Sequence, residues 1–371
     1  MIRYLGSAGP DSLRGTALLR LDFNTEDDWR MRAVLPTIKF LLKKSSKVVI
    51  MSHRGRPQGV EKKFSLRKNA GQLSHLLKRQ VIFISRLDFA KARAVIEAAP
   101  HGSVFLIENL RFSPAEEKND PKFAKQLASL GDFYVNDAFA VDHRANASLV
   151  AITKFLPSYG GFELKREIEF LSRAMKNPKH PFVIIVGGGK AADKLDVLTY
   201  FKNKADYFLL GGGPGNTMLA LRGFDVKKST RDRDPKDIKS LKPFIKMSQV
   251  LTPVDFRWRM DAIDDIGPKT VALYASKIAC AKTIFWGGPM GPIEKPARPV
   301  GSIAVAKAIA KNRRAFSISG GGETVTLLKQ YHFDRKFTFI STGGGAMIDF
   351  LAGKKMPGII ALEQAGSKIK K

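Results

Sequence analysis

Cysteine is almost absent from this sequence, since Cys280 is the single cysteine among 371 residues. One cysteine cannot form a disulfide within the chain or supply a multi-cysteine metal site. Its neighbours Ile278, Ala279 and Ala281 are small or apolar, so we expect Cys280 to be buried and structural. The lack of intrachain disulfides fits a reducing cytoplasm.

Long apolar runs are also missing. The longest, such as Phe182–Val186, have too few residues to cross a bilayer. The N-terminal residues from Met1 onward contain no apolar stretch of signal-peptide length. We therefore expect a soluble cytoplasmic protein that does not associate with membranes.

Acidic residues are scarce relative to basic ones, at 34 Asp and Glu against 63 Lys and Arg, and the formal net charge is +29. Such a charge indicates either an anionic partner or a solvated basic surface with no specific partner. Residues 222–246 alone carry nine of the basic side chains. Aromatic residues are not interleaved with the basic clusters, which disfavours a surface for single strands, so nucleic acid is expected only as a non-specific partner.

What the sequence does contain is an alternation of short apolar runs with amphipathic stretches. In the first half, strands are predicted at residues 16–22, 47–52, 80–85, 103–108 and 133–137, and helices at 29–43, 65–79, 88–98 and 121–130. This alternation predicts an α/β fold in which helices cover parallel sheets. The near-continuous apolar strands indicate burial on both faces.

The same pattern restarts after Pro181. Predicted strands at residues 182–186, 207–210, 283–286, 315–319 and 338–341 are each followed by glycine. Between the halves, Leu164, Ile168 and Leu171 have helical spacing. We predict two α/β domains with parallel sheets, 1–160 and 177–354, joined by a helix at 161–176.

The predicted strand ends in the first half carry charge, and ligands of open α/β sheets bind beyond the carboxyl ends of the strands. The charged segments are residues 22–24, 53–57, 109–112 and 143–144. Arginine forks match phosphate and carboxylate geometry, so this rim predicts a site for a small phosphorylated acid. The alternative, four unrelated surface loops, is disfavoured because all four fall at one sheet edge.

The predicted strand ends in the second half carry glycine, at residues 187–189, 211–213, 287–288, 320–322 and 343–345. Glycine lets backbone N–H groups approach phosphates, and a following helix N-terminus adds a favourable dipole. Lys190 and Lys194 lie one turn apart, where both would reach a polyphosphate. Tight structural turns would explain one tract, but not five.

Two nucleotide-binding motifs compete with this interpretation. Residues 187–192 formally match G-x-G-x-x-A, with Asp206 about 20 residues beyond, which is the dinucleotide fingerprint. Lys190 is atypical in such a loop, so a nicotinamide-dependent dehydrogenase is the weaker alternative. The P-loop pattern is absent, because Ala191 follows Lys190 where Ser or Thr is required.

Taken together, the strand-end segments resemble those of the phosphoglycerate kinase family. The matching segments are residues 19–24, 51–57, 108–112, 135–139, 187–194, 265–270, 286–291 and 340–346. They occur in the family order. The resemblance implies two Rossmann-like domains with parallel sheets, joined by a helix and a hinge. It implies 3-phosphoglycerate or 1,3-bisphosphoglycerate on the first domain and a magnesium nucleotide, ATP or ADP, on the second. It also implies that residues 355–371 pack back on the first domain of a monomeric glycolytic enzyme.

The resemblance implies roles for individual residues as well. Arg30, Lys190 and Gly344 would act in catalysis. The substrate would be bound by Asp22, Asn24, His53, Arg56, Arg111, His143 and Arg144. The nucleotide would be bound by Gly188, Lys194, Gly212, Gly213, Pro289, Glu294, Gly321, Gly322, Glu323 and Thr324, with Glu294 at the ribose and Glu323 facing Mg²⁺.

Several positions depart from the family pattern. Gly287 replaces the asparagine of Trp-Asn-Gly-Pro, Glu323 replaces the aspartate of Gly-Gly-Gly-Asp, and Asn146 replaces a histidine. The aromatic residue expected after Gly213 is missing. Most departures lie on the nucleotide side, so the alternative to an active kinase is a weakened protein on the same fold that binds anions or nucleic acid.

Overall fold

The computed structural model describes residues 1–293 and 299–368. The chain divides into two compact units. The N-terminal unit comprises Met1–Ile168 and the C-terminal segment from Lys355 onward, and the C-terminal unit comprises Glu169–Lys354. Each unit contains a six-stranded sheet in which every strand pair is parallel, so the α/β fold class predicted from the sequence is confirmed.

The sheet of the N-terminal unit has the order β3-β4-β2-β1-β5-β6. Its strands are β1 Thr16–Arg20, β2 Lys47–Met51, β3 Val81–Ile84, β4 Val104–Ile107, β5 Phe133–Asn136 and β6 Ser158–Gly160. Its helices before the second unit are α1 Trp29–Ala33, α2 Leu35–Lys44, α3 Arg67–Leu77, α4 Phe89–Ala98, α5 Pro114–Glu117 and α6 Pro121–Ala128. The short edge strand β6 has no counterpart in the sequence prediction.

The helix predicted at residues 29–43 is interrupted. Helix α1 ends at Ala33 and α2 begins at Leu35, with Val34 between them. Pro36 lies in the first turn of α2. Proline has no backbone N–H and is tolerated only in the first turn of a helix, so the chain must start a new helix here.

Helix α7, Phe162–Lys176, carries the chain from one unit into the other. The strands that follow are β7 Phe182–Val186, β8 Tyr207–Leu210, β9 Val250–Leu251, β10 Phe256–Arg259, β11 Ala262–Ile266, β12 Thr283–Gly287, β13 Phe316–Gly320 and β14 Phe339–Ile340. The helices are α8 Leu195–Phe201, α9 Gly212–Leu221, α10 Pro235–Leu241, α11 Pro268–Cys280, α12 Val300–Lys311, α13 Gly322–Gln330 and α14 Gly345–Leu351. Within the described ranges, no helix has the length and apolar character needed to span a membrane.

The main sheet of the C-terminal unit has the order β14-β13-β12-β7-β8-β9, and β10 and β11 form a separate antiparallel hairpin that the sequence prediction missed. The strands at the sheet centre are buried on both faces, as Ile185, Ile284 and Trp286 illustrate. Full burial explains why these strands read as continuous apolar runs rather than as alternating ones.

The expectation that Cys280 is buried is wrong, because this residue is exposed. Helix α11 buries Thr270, Tyr274 and Ile278, which lie four residues apart on one face. Cys280 follows Ile278 by two residues, or roughly 200° around the helix, and therefore points away from the core.

The last helix, α15 Pro357–Lys368, belongs to the N-terminal unit and packs against β6. Its start is fixed by a hydrogen bond from the Gly358 N–H to the Asp142 carbonyl at 3.0 Å. A Cβ atom at Gly358 would overlap the Asp142 carboxylate. Leu362 and Ala361 on the same helix are buried.

Three acidic side chains, Asp137, Glu163 and Glu167, are buried where α7 begins. Asp137 accepts a hydrogen bond from the Leu164 N–H at 2.7 Å, and Glu163 faces Arg166 at 3.1 Å. Burial, with a further contribution from Glu167, raises the pKa of Glu163 from 4.5 to about 8. Burial also raises the pKa of Asp137 to about 6.

We predict that Glu163→Gln stabilises the protein increasingly as pH rises. Glu163 loses its proton near pH 4.5 when unfolded but near pH 8 when folded, so rising pH favours the unfolded chain between these values. The gain of the variant over the parent should grow by at most about 1.4 kcal/mol per pH unit in this window. Urea unfolding at pH 5 to 8 measures the difference in stability between variant and parent. The control is Glu363→Gln, at an exposed position of α15. A difference that stays constant with pH would contradict the assignment.

Candidate functional site

In the N-terminal unit, the loops that follow β1, β2 and β4 are joined at the carboxyl edge of the sheet. The Gly55 N–H donates to the side-chain oxygen of Asn24 at 2.8 Å, and the Arg111 guanidinium donates to the Gly55 carbonyl at 2.7 Å. We use the term basic rim for the predicted substrate residues with the predicted catalytic arginine: Asp22, Asn24, Arg30, His53, Arg56, Arg111, His143 and Arg144.

Asn109 is the residue that holds two of these loops in place, although the sequence analysis assigned it no role. It is fully buried, and its amide group makes four hydrogen bonds. The oxygen accepts from the N–H groups of Arg54 and Arg111, and the nitrogen donates to the carbonyls of Arg54 and Phe64. These four bonds use the amide oxygen and nitrogen of Asn109, and they fix the backbone from which the Arg111 side chain extends.

Asp22 and Arg30 form the acidic and basic ends of a partly buried pair. Arg30 Nη1 lies 2.5 Å from Asp22 Oδ2, and the Asn24 N–H donates to Asp22 Oδ1 at 2.8 Å. Arg30 Nε is buried and makes no hydrogen bond within the described ranges. Because buried donors are nearly always satisfied, this N–H is a candidate donor to a bound anion.

His53 is fully buried among cations. Its pKa lies well below the usual value, mainly because burial disfavours the charged ring and secondarily because Arg20, Arg111, Arg144 and Arg30 repel it. Arg20 Nη2 lies 3.2 Å from His53 Nδ1. Since a guanidinium only donates, Nδ1 must accept, which places the proton of the neutral ring on Nε2. His53 is thus prepared to donate from Nε2.

The remaining cations of the rim repel one another. Burial lowers the pKa of Arg111 to about 10, and Arg144 adds to this shift. Glu117 lies 3.3 Å from Arg111 Nε and offsets part of the repulsion. Arg144 Nε donates to His143 Nε2 at 3.2 Å, and Arg56 is exposed. A ligand with several negative charges would relieve this repulsion.

Beneath the rim, the sequence analysis missed a second buried pair. Arg20 is 1% exposed and donates to the Ser148 hydroxyl at 2.9 Å, and its guanidinium lies 3.9 Å from Glu116. Glu116 accepts from the Ser148 N–H and hydroxyl, and from Asn146 at 3.5 Å. An arginine inside an otherwise apolar predicted strand was the available sequence signal for this support.

In the C-terminal unit, glycine-rich loops line two adjoining cavities. The larger, which we call the glycine cavity, has a volume of about 560 Å³, and the smaller, the side cavity, about 230 Å³. They share Gly188, Gly189 and Glu323. The predicted residues in the glycine cavity are Gly188, Lys194, Gly321, Gly322, Glu323, Thr324 and Gly344. Those in the side cavity are Gly188, Gly212, Gly213, Pro289 and Glu323.

One predicted residue of the described part of the C-terminal unit lies outside both cavity linings. Lys190 is exposed and lines neither cavity. Glu294, predicted at the ribose, lies outside the described residues. The side cavity instead has lining residues that the sequence analysis did not name, among them Asn216, Ile263 and Asp264.

The glycines around these cavities serve two different purposes. Some allow loops to touch: the Gly213 N–H donates to the Gly188 carbonyl at 2.8 Å, and a Cβ at Gly213 would overlap Gly189. Others leave space open, since a Cβ at Gly189, Gly322 or Gly345 would meet no atom within 4 Å. The second group gives a ligand direct access to backbone N–H groups.

The acidic lining of the glycine cavity consists of Glu323 and Asp349. Asp349 also pairs with Lys354 at 3.0 Å. No cluster of three metal-binding side chains occurs in the described part of the chain. Magnesium in kinase sites takes one or two protein carboxylates and completes its shell with phosphates and water, so this donor set fits Mg²⁺ bound together with a nucleotide.

The loop that carries Lys190 and Lys194 is held by Asp232, a residue to which the sequence analysis assigned no role. Asp232 is 8% exposed, and its Oδ2 accepts from the N–H groups of Ala191 at 2.7 Å and Ala192 at 3.2 Å. The Asp232 N–H in turn donates to the Thr217 hydroxyl at 2.9 Å. Asp232 therefore fixes the lysine loop against α9.

Comparison with known proteins agrees with this geometry. The family model described as phosphoglycerate kinase matches residues 14–354. A phosphoglycerate kinase of Dictyoglomus turgidum is 40% identical over 385 aligned positions, covering 95% of this chain and 97% of the relative. The cytosolic phosphoglycerate kinase of Triticum aestivum is 38% identical, with 98% and 99% coverage.

Solved structures of the same kind of protein are similar over nearly the whole chain. Phosphoglycerate kinase from Pyrococcus horikoshii matches with a TM-score of 0.88 and 32% identity, covering 99% of this chain and 100% of the other. The structure from Coxiella burnetii matches with a TM-score of 0.82 and 33% identity, covering 98% and 99%.

We predict that Asp232→Ala weakens ADP binding through the lysine loop. The change leaves the N–H groups of Ala191 and Ala192 without their acceptor, which costs about 1–3 kcal/mol. If the loop of the variant becomes ordered only when ADP binds, this cost raises the dissociation constant roughly five- to 150-fold. Calorimetric titration with ADP measures the effect. The matched control is Asp234→Ala, which removes the cap of α10 and should reduce stability by about 1 kcal/mol without changing ADP affinity. Equal ADP affinities in the two variants would show that the loop is held by other contacts.

Proposed function

Because the chain belongs to the phosphoglycerate kinase family, we propose that its basic rim holds 3-phosphoglycerate and its glycine cavity holds the nucleotide. The family activity is reversible phosphoryl transfer between 1,3-bisphosphoglycerate and ADP, giving 3-phosphoglycerate and ATP, and this chain is a kinase of that type. The observation that carries the residue assignment is the contrast between the two units. One strand-end edge is lined by cationic side chains, the other by open glycines.

The reaction constrains what the residues must do. A carboxylate oxygen of 3-phosphoglycerate attacks the γ-phosphorus of ATP and forms the acyl-phosphate bond. The bond to the β–γ bridging oxygen breaks, and its electron pair leaves with ADP; the reverse direction makes ATP. No covalent enzyme intermediate is required, so the protein contributes positioning and positive charge.

On the acceptor side, we assign the phosphate of 3-phosphoglycerate to cations of the rim that are buried or half-buried. Arg111 and Arg144 supply charge, and His53 supplies a neutral Nε2–H donor because Arg20 fixes its tautomer. Asp22 and Asn24 hold the hydroxyl and carboxyl end. Arg30 stabilises the transferring phosphoryl group, and its buried Nε–H supports this role.

On the nucleotide side, Lys194 holds the phosphates within the glycine cavity together with the open backbone of Gly189 and Gly322. Lys190 neutralises charge on the transferring group, and Gly344 contributes backbone at the same cavity. Glu323 would hold Mg²⁺ together with the nucleotide phosphates, and the metal would supply positive charge that neutralises them. That a hinge closes and brings the phosphoryl acceptor and donor together remains a prediction.

We extend the proposal to the setting of the enzyme. A cytoplasmic location is supported by the wheat relative, whose name describes it as cytosolic. A monomer remains a prediction from the family resemblance.

The proposed roles of the two lysines predict different kinetic consequences. Lys190→Ala should lower kcat by roughly 10²–10³-fold with little change in ADP affinity, because its charge is needed mainly in the transition state. Lys194→Ala should chiefly raise KM and the dissociation constant for nucleotide, because this side chain lines the cavity. A coupled assay of ATP-dependent phosphorylation of 3-phosphoglycerate measures both variants.

The same assay on the unmodified protein tests the proposed function. Turnover that requires both ATP and 3-phosphoglycerate supports the proposed function. The absence of turnover in both directions of the reaction would refute it. Lys204→Ala is the matched lysine control, since Lys204 lies at 3.7 Å over the Tyr200 ring and away from the cavity lining. If Lys190→Ala and Lys194→Ala lose affinity and kcat equally, the separate roles are wrong.

Glu323 and Gly287 line the same cavity, and we predict that they are coupled. Glutamate extends its carboxylate one methylene farther than aspartate, and Gly287 leaves room where the family has asparagine. A Cβ at Gly287 would come within 3.2 Å of the Phe285 ring, so a side chain there requires this ring to shift by a few tenths of an ångström. Glu323→Asp alone should therefore give little gain, whereas Glu323→Asp with Gly287→Asn should strengthen magnesium-nucleotide binding beyond the sum of the single effects.

The measurement is a double-mutant cycle on the dissociation constant of MgADP, repeated with ADP and EDTA. Coupling that is present with magnesium and absent with EDTA places the effect at the metal. Strictly additive effects on the dissociation constant would show that the two residues are not coupled. Complete loss of activity in Glu323→Asp would show that the site is built around glutamate.

A further inference from the structure

An exposed aromatic surface lies on the C-terminal unit, on and beside the β10–β11 hairpin. We define the aromatic surface as Phe224, Lys227, Phe256, Trp258 and Met260. The rings of Phe224 and Phe256 have centroids 5.1 Å apart, and those of Phe256 and Trp258 lie 6.0 Å apart. Lys227 Nζ lies 5.1 Å from the centre of the Trp258 ring.

This surface concentrates apolar groups that a folded chain normally buries. The described part of the protein has eight large hydrophobic side chains that are exposed, and four of them lie here or beside it: Phe224, Val254, Trp258 and Met260. Phe224 and Trp258 are 42% and 41% exposed. Clustering of this kind indicates an interaction surface, whereas single exposed apolar residues do not.

A groove of about 360 Å³ adjoins the aromatic surface. Arg222 and Lys246 contribute to its lining, as do Val254 and Leu273. Arg222 and Val254 each precede a ring of the aromatic surface, Phe224 and Phe256, by two residues. Residues of the groove and of the aromatic surface thus lie close together in sequence in two separate segments, 222–224 and 254–256.

The surroundings are strongly basic. Residues 222–259 contain eleven Lys and Arg against five Asp and no Glu. Some of these cations are paired, as Lys228 is with Asp261 at 3.0 Å and Arg259 with Asp264 at 2.8 Å. Arg231, Arg233 and Arg257 are exposed and occur in none of the ion pairs found in the described ranges. The net charge of the whole chain, +29, has the same sign.

We propose that the aromatic surface binds single-stranded nucleic acid, with bases stacked on the rings and the backbone following the flanking cations. Aromatic rings in a row, inside a basic track, are the two components that such binding needs. The sequence analysis expected aromatic and basic residues to be separate, and this is wrong at the hairpin, where Phe256, Arg257, Trp258 and Arg259 follow one another. The kinase reaction uses none of these residues.

An anionic membrane is the competing partner, because basic and aromatic residues also bind lipid surfaces. Membrane insertion needs several apolar side chains that project outward. Here Met260 and Val254 project, at 92% and 59% exposed, while Phe224 and Trp258 lie against their neighbours and keep more than half of their surface covered. Rings that are more than half covered expose too little surface for insertion into a lipid interior.

The test is fluorescence anisotropy with a labelled oligothymidylate of about 12 nucleotides, a length within the usual single-strand site sizes. Saturating ADP is included so that the nucleotide cavities are occupied. Trp258→Ala is expected to weaken binding about tenfold, and Trp258→Phe, which keeps a ring, should retain most of the affinity. Lys227→Gln should weaken binding and reduce its dependence on salt. The matched control is Phe155→Ala, because Phe155 is an aromatic side chain on the other unit that is 39% exposed.

The outcomes separate stacking from charge and from lipid binding. Support requires that the single strand binds more tightly than a duplex of the same length, and that kinase activity is unchanged in the hairpin variants. The proposal would be overturned if Trp258→Ala bound the oligothymidylate as tightly as the parent does. Equal affinities for duplex and single strand would also overturn it. Tighter association with vesicles containing phosphatidylserine, lost in Trp258→Ala, would assign the surface to membranes instead. If Trp258→Ala does not fold, Lys227→Gln and the duplex comparison decide.

Discussion

Parallel pairing of strands is the constraint on which both ligand sites depend. In each six-stranded sheet every neighbouring pair is parallel, so all strands end at the same edge and their following loops are brought together. In the N-terminal unit this edge gathers Asp22, His53 and Arg111 from three strands. In the C-terminal unit it gathers the glycines after β7, β8, β12 and β13. Two different chemistries therefore arise from one rule of chain geometry.

The charges at these edges require support from below. Like charges around His53 would be costly without compensation, and the buried Arg20 and Glu116 provide a second layer in which donors and acceptors are matched through Ser148. Asn109 performs the corresponding task for the backbone. These contacts hold the backbone and several side chains of the rim in place, which reduces the binding energy spent on ordering them.

Local patterns were sufficient to predict most strands, because buried parallel strands are continuous apolar runs, and β7 and β8 were placed at their observed bounds. They were also sufficient to place the glycine loops and the basic loops after the strands. The hairpin β10–β11 was missed because β10 has only four residues and β11 is interrupted by Asp264 and Asp265, so neither strand is a continuous apolar run. Arg20, Asn109 and Asp232 were missed as supports since the partners that tie them to other loops are 15 to 128 residues away, a separation that no sequence pattern encodes.

The same distinction between side chain and backbone explains why departures from the family pattern fall on the nucleotide side. The phosphates of a nucleotide are held largely by backbone N–H groups, which Gly189, Gly322 and the start of α13 present whatever residue stands beside them. Replacing asparagine by Gly287 or aspartate by Glu323 leaves that backbone in place. The basic rim has no such reserve, because its cations are side chains, and all but the exposed Arg56 are held in specific contacts. Substitution is therefore tolerated at one edge and constrained at the other.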